Sequence, residues 1–304
     1  MAVSTRPHWL VLGAGAIGGL WALRLAAAGH PVTLLGRQAA PTRRLVLEDG
    51  NHSLSHDFPC LDHRRAQLPA AERLLVATKA GATADALAPL LPALPATLPL
   101  VLLQNGMGQE AALLAARPDL VLLPAITTAG VFCRDADTRV LAGAGQTRIG
   151  ALDAAQQPLA DTIAREWQAA GLATSAVTDI AAQRWQKLAV NCAINPLTVR
   201  FRCRNGALLD NPEALALMEA VCAEVAAVMQ AEGLAASGDA LFASAQAVAA
   251  ATAANTSSML ADAEAGRATE IDFLNGHVLR CAARHGIACP VNAALVTEIA
   301  ARAH

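Results

Sequence analysis

The stretch VLGAGAIGG, residues 11–19, constrains this chain more than any other. Glycines 13, 15 and 18 form a G-x-G-x-x-G, which alone is a common kind of turn. Here the apolar run WLVL (9–12) precedes it, and an alanine-rich helical stretch (16–28) follows, closed by Gly29 and Pro31. Strand, glycine turn and helix in that order open a dinucleotide-binding unit. Gly13 permits the tight turn, Gly15 lets a diphosphate approach the backbone, and Gly18 lets helix pack on strand. The diphosphate is then expected on the helix N-terminus.

The rest of the first half keeps this rhythm. VTLL (32–35), LLVAT (74–78), LVLLQ (100–104) and VLLPA (121–125) read as further strands separated by helical segments. That βαβα alternation predicts a Rossmann-type, doubly wound parallel sheet. VLAGAGQTRIG (140–150) reads as a hairpin closing one edge, followed by a helix (158–170) and a short strand, ATSAV (173–177). After Asp179 the strand signals stop. Asn211-Pro212-Glu213 is a helix start, with an N-cap, a first-turn proline and an acid at the positive dipole end. That helix stops at Gly233. Further helices are expected over 239–265 and 269–284, with Gly286 and Pro290 marking the exit. The expected division is an α/β nucleotide domain, 1–178, and an all-α substrate domain, 179–304.

Composition excludes several classes of function. A net charge of −2 gives no field for gathering nucleic acid or coating a membrane. No uninterrupted apolar run reaches the ~18–20 residues of a spanning helix, and the opening MAVSTRPHWLVLGAG lacks a signal peptide's pattern. The seven cysteines contain no C-x-x-C pair, so neither a zinc knuckle nor a disulfide scaffold is expected, and no metal site. The expected address is the cytoplasm. The chain has no tyrosine, so tyrosyl acid catalysis is unavailable to it.

Where the second strand ends, an NAD site places an acid for the ribose hydroxyls. Here Leu35-Gly36-Arg37 ends it, with no acid before Glu48. A guanidinium suits a 2′-phosphate, so NADPH/NADP+ is the expected cofactor, against the alternative of a surface arginine. Lys79 and Asn105 follow two later strands, at the rim where such a cofactor would lie. An ordinary solvated lysine and an Asn-Gly turn are the alternatives.

KLAVNCAINPLT (187–198) places Lys187, Asn191 and Asn195 four residues apart, at roughly 0°, 40° and 80° around a helix. The lysine is either a surface residue whose stem snorkels or a proton donor presented with two amides to a carbonyl-bearing anion in a cleft between the domains. Burial would lower its pKa toward the working range. Asn195 precedes Pro196, so the helix is expected to kink or end there.

These residues carry a family resemblance over essentially the whole chain. VLGAGAIGG, the TKA around Lys79, LQNGMG, RWQKLAVNCAINPLT and NTSSMLADAEAGRATEIDFLNG resemble the 2-dehydropantoate 2-reductase (ketopantoate reductase) family. The resemblance implies NADPH-dependent reduction of 2-dehydropantoate to (R)-pantoate, a step of pantothenate synthesis. It gives Lys187 as proton donor. Asn105, Asn191, Asn195, Asn205, Asn255 and Ser258 are the implied substrate contacts, with Ser258 near the carboxylate. Gly13, Ala14, Gly15, Ala16, Ile17, Gly18, Arg37, Lys79 and Asn105 match cofactor contacts. Glu270, in TEID, matches an acid that contacts ligand and is grouped with them, although a first-turn glutamate also suits a helix dipole. A backbone cofactor contact falls near Val131, where this chain has ITTAGVF in place of a more polar, threonine-rich run.

The expected partner is therefore a small 2-keto acid, bound by a monomer or homodimer, with no nucleic acid and no membrane. Three rivals stand beside this reading. A β-hydroxyacid dehydrogenase also pairs a Rossmann domain with a Lys-x-x-x-Asn stripe but prefers 3-hydroxy acids. A non-catalytic NADP sensor would bind dinucleotide without turnover. A paralogue would reduce another branched 2-keto acid.

Overall fold

In the first strand, β1 (Trp9–Leu12), Trp9 and Val11 join one apolar cluster and Leu10 and Leu12 another, and all four are buried. A strand covered on both faces requires this. The computed structural model describes residues 6–64 and 67–302. The outermost parts of both expected domains, residues 1–5 of the opening stretch included, lie outside the described residues. The chain groups into two compact units. One holds residues 1–104 and 109–180, the other residues 105–108 and 181–304.

The first unit is built on a sheet that continues through β2 (Val32–Gly36), β3 (Ala40–Asp49), β4 (His52–Asp62), β5 (Arg73–Val76) and β6 (Pro99–Leu102). Strands β7 (Val121–Thr127), β8 (Gly130–Cys133), β9 (Thr138–Gly143), β10 (Thr147–Ile149) and β11 (Thr174–Ala176) complete it. Their spatial order is β11-β10-β7-β6-β5-β1-β2-β4-β3-β9-β8. β1 pairs in parallel with β2 on one side and β5 on the other, so the connection reverses at the end of β1. In doubly wound sheets that reversal is where ligands bind. Helix α1 (Ala16–Ala27) and helix α4 (Gln157–Ala169) contribute to the apolar cluster of one face, where Trp9, Trp21 and Trp167 meet with ring centroids 5.4 and 5.8 Å apart. The short α2 (Thr83–Leu87) and α3 (Gln109–Ala116) contribute to the other cluster.

The parallel core of this unit is as the sequence reading has it, and two details differ at its flanks. The sheet is mixed: β3–β4, β8–β9 and β7–β10 run antiparallel, and the other pairings are parallel. The 140–150 stretch is not a hairpin. β9 pairs with β3 and β8, whereas β10 pairs with β7 and β11 toward the opposite edge. Hairpins join β8 to β9 and β3 to β4, and the second turns at Gly50, whose φ of +58° suits glycine.

The second unit contains α5 (Ile180–Phe201, from Ala181 onward), α6 (Pro212–Ala231), α7 (Gly238–Ala251), α8 (Ser258–Glu264), α9 (Asn275–His285) and α10 (Pro290–Arg302). Asn211 caps α6 by accepting from the Glu213 and Ala214 amides, and Gly286 closes α9 in the left-handed conformation. α6 is long and apolar enough by length and composition to cross a membrane. Here Met218, Val221, Cys222 and Val225 are buried in the core of this unit, and Glu213, Glu219 and Glu224 interrupt its apolar run. The expected single helix over 239–265 is two helices with a break at 252–257. The expected helix over 269–284 begins only at Asn275, after a short 3₁₀ turn.

α5 does not end at Asn195. It runs through Pro196 to Phe201, and a side chain of α9 takes the carbonyl that the proline leaves without its helical donor.

Candidate active site

The glycine turn belongs to the first unit. Gly13 has φ +92°, and a Cβ on it would lie 2.8 Å from the Thr78 amide nitrogen. A Cβ on Gly18 would lie 2.1 Å from the Gly13 carbonyl oxygen, whereas one on Gly15 meets nothing within 4 Å. Two glycines therefore close the turn tightly, and the third leaves its outer side open. Gly15 starts α1 with no side-chain cap and no acid in the first turn. Among the described residues the first amides of α1 thus have no side-chain acceptor, the condition in which a helix N-terminus holds an anion. Ala14 and Ile17 pack on the core beneath, Ala16 begins the helix, and the open turn fits a diphosphate.

Arg37 follows β2 directly and is exposed. Beside it Arg64 donates to the Arg37 carbonyl at 2.7 Å and pairs with Asp62 at 3.0 Å. The Arg64 hydrogen bonds hold the Asp62 carboxyl down to about 2. Asp62 lies opposite Gly36 in the β2–β4 register. An acid does therefore approach the end of β2, from a neighbouring strand and already engaged by a guanidinium. Exposed Lys79 comes one residue after Thr78, whose backbone abuts Gly13, so it sits beside the glycine turn. Val131 lies on β8, opposite Leu141, and packs on the cluster that α1 also joins.

The remaining candidates gather in the second unit. Asn105 groups there although it follows β6 in sequence. Gly106 explains how: at φ +81° it lets the chain press so close to Phe273 that a Cβ would be 2.5 Å from the Phe273 carbonyl oxygen. The Met107 amide then donates to that same carbonyl at 3.0 Å. This docks Asn105 against α5, where Lys187 Nζ donates to Asn105 Oδ1 at 3.2 Å. The other end of the Asn105 amide donates to Glu270 at 3.5 Å. Asn105, read from the sequence as a contact of both substrate and cofactor, and Glu270, read as a cofactor contact, thus sit with the lysine. Burial lowers the Lys187 pKa from 10.5 to about 8, while the Glu270 carboxylate pulls it the other way. Such an ammonium stays charged near neutral pH yet releases its proton more readily than an ordinary lysine.

Because α5 is continuous, Asn191 and Asn195 share the face of Lys187. The break between α7 and α8 carries Asn255, and Ser258 opens α8. The Asn205 amide donates to the Asn255 carbonyl at 3.1 Å, and Asn205 Nδ2 donates to Thr252 Oγ1 at 2.9 Å. Asn205 is buried, and its Oδ1 finds no donor among the described residues. Two residues tie this break to the stripe: Ser257, read from the sequence only as part of the substrate-holding segment 255–258, and Thr198, not singled out there. Ser257 Oγ lies 2.6 Å from Thr198 Oγ1, and the Thr198 hydroxyl donates to the Asn195 carbonyl at 2.7 Å. Both side chains are buried. The NTSS run was a visible signal for Ser257, which also caps α8. Thr198 had none. Among the described residues no group of His, Cys, Asp or Glu side chains converges as a metal site.

Comparison with known proteins gives a consistent picture. Residues 9–154 match the family model described as Ketopantoate reductase PanE/ApbA, and residues 179–303 match that of its C-terminal part. The chain is 42% identical over 290 residues to the 2-dehydropantoate 2-reductase of Vibrio cholerae serotype O1, covering 95% of this chain and 96% of that one. Among solved structures, a PanE/ApbA family ketopantoate reductase from Ralstonia eutropha JMP134 superposes with a TM-score of 0.86 at 25% identity, over 97% and 98% of the two chains. A D-mandelate dehydrogenase solved with NADH and anilino(oxo)acetate superposes with a TM-score of 0.89 at 19% identity and the same coverage, a likeness of fold.

Proposed function

This chain belongs to the ketopantoate reductase (PanE/ApbA) family, and from that premise we propose that it reduces 2-dehydropantoate to (R)-pantoate with NADPH. The observation that carries the reading is the Lys187 ammonium, its pKa lowered to about 8, hydrogen-bonded to Asn105 in a stripe of amides. When bound, the reduced nicotinamide supplies the hydride that C2 of the keto acid accepts.

The chain's own residues do the rest. Gly13, Gly15 and Gly18 leave room for the diphosphate, and Arg37 holds the 2′-phosphate with Lys79 beside it. Ala14, Ala16, Ile17 and Val131 line the approach. Asn105 and Glu270 keep Lys187 charged and aimed, and its proton goes to the C2 oxygen as that oxygen becomes an alkoxide. Asn191, Asn195 and Asn255 orient the substrate by hydrogen bonds, Ser258 meets its carboxylate, and buried Asn205 offers its free Oδ1 to a substrate hydroxyl. On this reading residues 1–178 form the nucleotide domain and 179–304 the substrate domain, active as a monomer or homodimer. All seven cysteines are free thiols, which fits a reduced, cytoplasmic address.

The deciding experiment follows NADPH oxidation with 2-dehydropantoate and with 2-oxoisovalerate, and NADP+ reduction with a 3-hydroxy acid. Preference for 2-dehydropantoate is expected. Faster turnover of 2-oxoisovalerate points to a paralogue, and activity confined to the 3-hydroxy acid with NADP+ points to the β-hydroxyacid dehydrogenases. Binding without any turnover leaves only a sensor.

A further inference from the structure

Arg139, on β9, is 2% exposed, and the roles above leave it unused. Its guanidinium donates to three backbone carbonyls: Ala14 at 2.6 Å, Gly15 at 3.2 Å and Ala136 at 2.7 Å. No carboxylate hydrogen-bonds to it among the described residues. Asp135 and Asp137, the acids closest in sequence, are exposed. Buried charges are ordinarily paired because desolvation is costly, and burial indeed lowers this arginine's pKa, with the Arg43 cation pushing the same way against the weaker pull of Cys133, Asp137 and Asp135. Gly19, which lies outside the G-x-G-x-x-G, is cleared for the same side chain: a Cβ there would be 2.5 Å from Arg139 Nε.

Two of the three carbonyls belong to the glycine turn. Ala14 C=O shares its peptide group with the Gly15 amide, and Gly15 C=O shares its own with the Ala16 amide. A cation bound at the oxygen end polarises each group and makes its N–H a stronger donor. We propose that Arg139 is a positioning residue that sets the affinity of the glycine turn for the cofactor's diphosphate, through these two peptide groups and through its otherwise unpaired charge. Substrate and nicotinamide are not its contacts. The bound diphosphate supplies a nearby anion where, among the described residues, no carboxylate hydrogen-bonds to the guanidinium. The inference rests on the proposed dinucleotide reading and deepens it.

The test is a set of equilibrium titrations of the full-length protein with NADPH, NADH and adenosine 2′-monophosphate, a probe without the diphosphate. Arg139→Met and Arg139→Gln should weaken NADPH and NADH alike, roughly ten- to fifty-fold, and leave adenosine 2′-monophosphate within about twofold. Arg139→Lys, which keeps the charge, should recover most of the loss. Wild-type NADPH affinity in folded Arg139→Met and Arg139→Gln overturns the proposal. So does an equal loss for all three ligands and all three variants, which marks a merely structural arginine. Failure of the wild-type protein to bind NADPH instead rejects the dinucleotide reading itself.

Discussion

Asn275 supplies the amide that Pro196 lacks: its Nδ2 donates to the Cys192 carbonyl at 3.2 Å, four residues before the proline. Its second proton goes to Asn292 Oδ1 at 2.9 Å, and Asn292 in turn donates to Glu224 at 2.6 Å. Asn275 and Asn292 are fully buried. This chain of amides is how α5 passes its proline and keeps Lys187, Asn191 and Asn195 on one stripe.

Asn275→Leu strands two buried acceptors and should cost about 2–4 kcal/mol of stability. In a Pro196→Ala background the helix regains its own donor for Cys192, so the same change should cost about 1–2 kcal/mol less. Urea unfolding of the four variants measures this. Additive losses would show that the two residues do not share the carbonyl.

Lys187→Ala should lower kcat by about 10²–10⁴ with NADPH binding nearly intact. Because the donor must be protonated, kcat/KM for reduction should fall as pH rises through about 8. Glu270 raises the Lys187 pKa, so Glu270→Gln should move that break to lower pH. A break that stays in place excludes the coupling. Folding carries the same signature. The folded pKa is about 8 against an ordinary 10.5, so over that window the unfolded chain binds more protons at Lys187, and this group's contribution to stability rises with pH.

Arg37→Ala should cut the preference for NADPH over NADH by about 10–100-fold, read as kcat/KM for each cofactor. Arg64→Ala frees the Asp62 carboxylate beside the end of β2 and should also narrow the preference, by improving NADH. An unchanged ratio in both variants would remove the 2′-phosphate from this corner.

Gly106→Ala combines a left-handed backbone with a Cβ 2.5 Å from the Phe273 carbonyl oxygen. Strain and clash together should destabilise by about 2–3 kcal/mol. Displacing Asn105 from Lys187 should lower kcat at least tenfold. Calorimetry and initial rates check the two effects. Normal turnover would show that the Asn105 contact is dispensable.

The parallel core of the sheet was legible because its strands are buried on both faces and read as short apolar runs. The β3–β4 hairpin was not, because APTRRLVLED and HSLSHDFPCLD mix exposed and half-buried polar side chains with Leu45, Leu47, Phe58 and Cys60, which are buried but form no continuous apolar run. The Gly50-Asn51 turn was the available signal. The break at 252–257 escaped notice because alanine favours helix on both sides of it. Backbone hydrogen bonds from Asn205 and Gly206 to Asn255 and Ala253 tie it to another segment, a tertiary cause. Of the candidate site, the Lys-Asn-Asn stripe could be read from its spacing. The company of Asn105 could not, because an Asn-Gly pair after a strand looks the same whichever unit holds it. Arg139, Asn275 and Thr198 act through backbone carbonyls, which leave no trace in a sequence.

The grouping of residues 105–108 with the helices bears on how such enzymes can be recombined. A chimera spliced once, after residue 180, would give the donated helices a foreign four-residue insert, and with it a foreign neighbour for the lysine. Only a double transplant, short segment and long segment together, carries the Lys187–Asn105 pair as one inheritance.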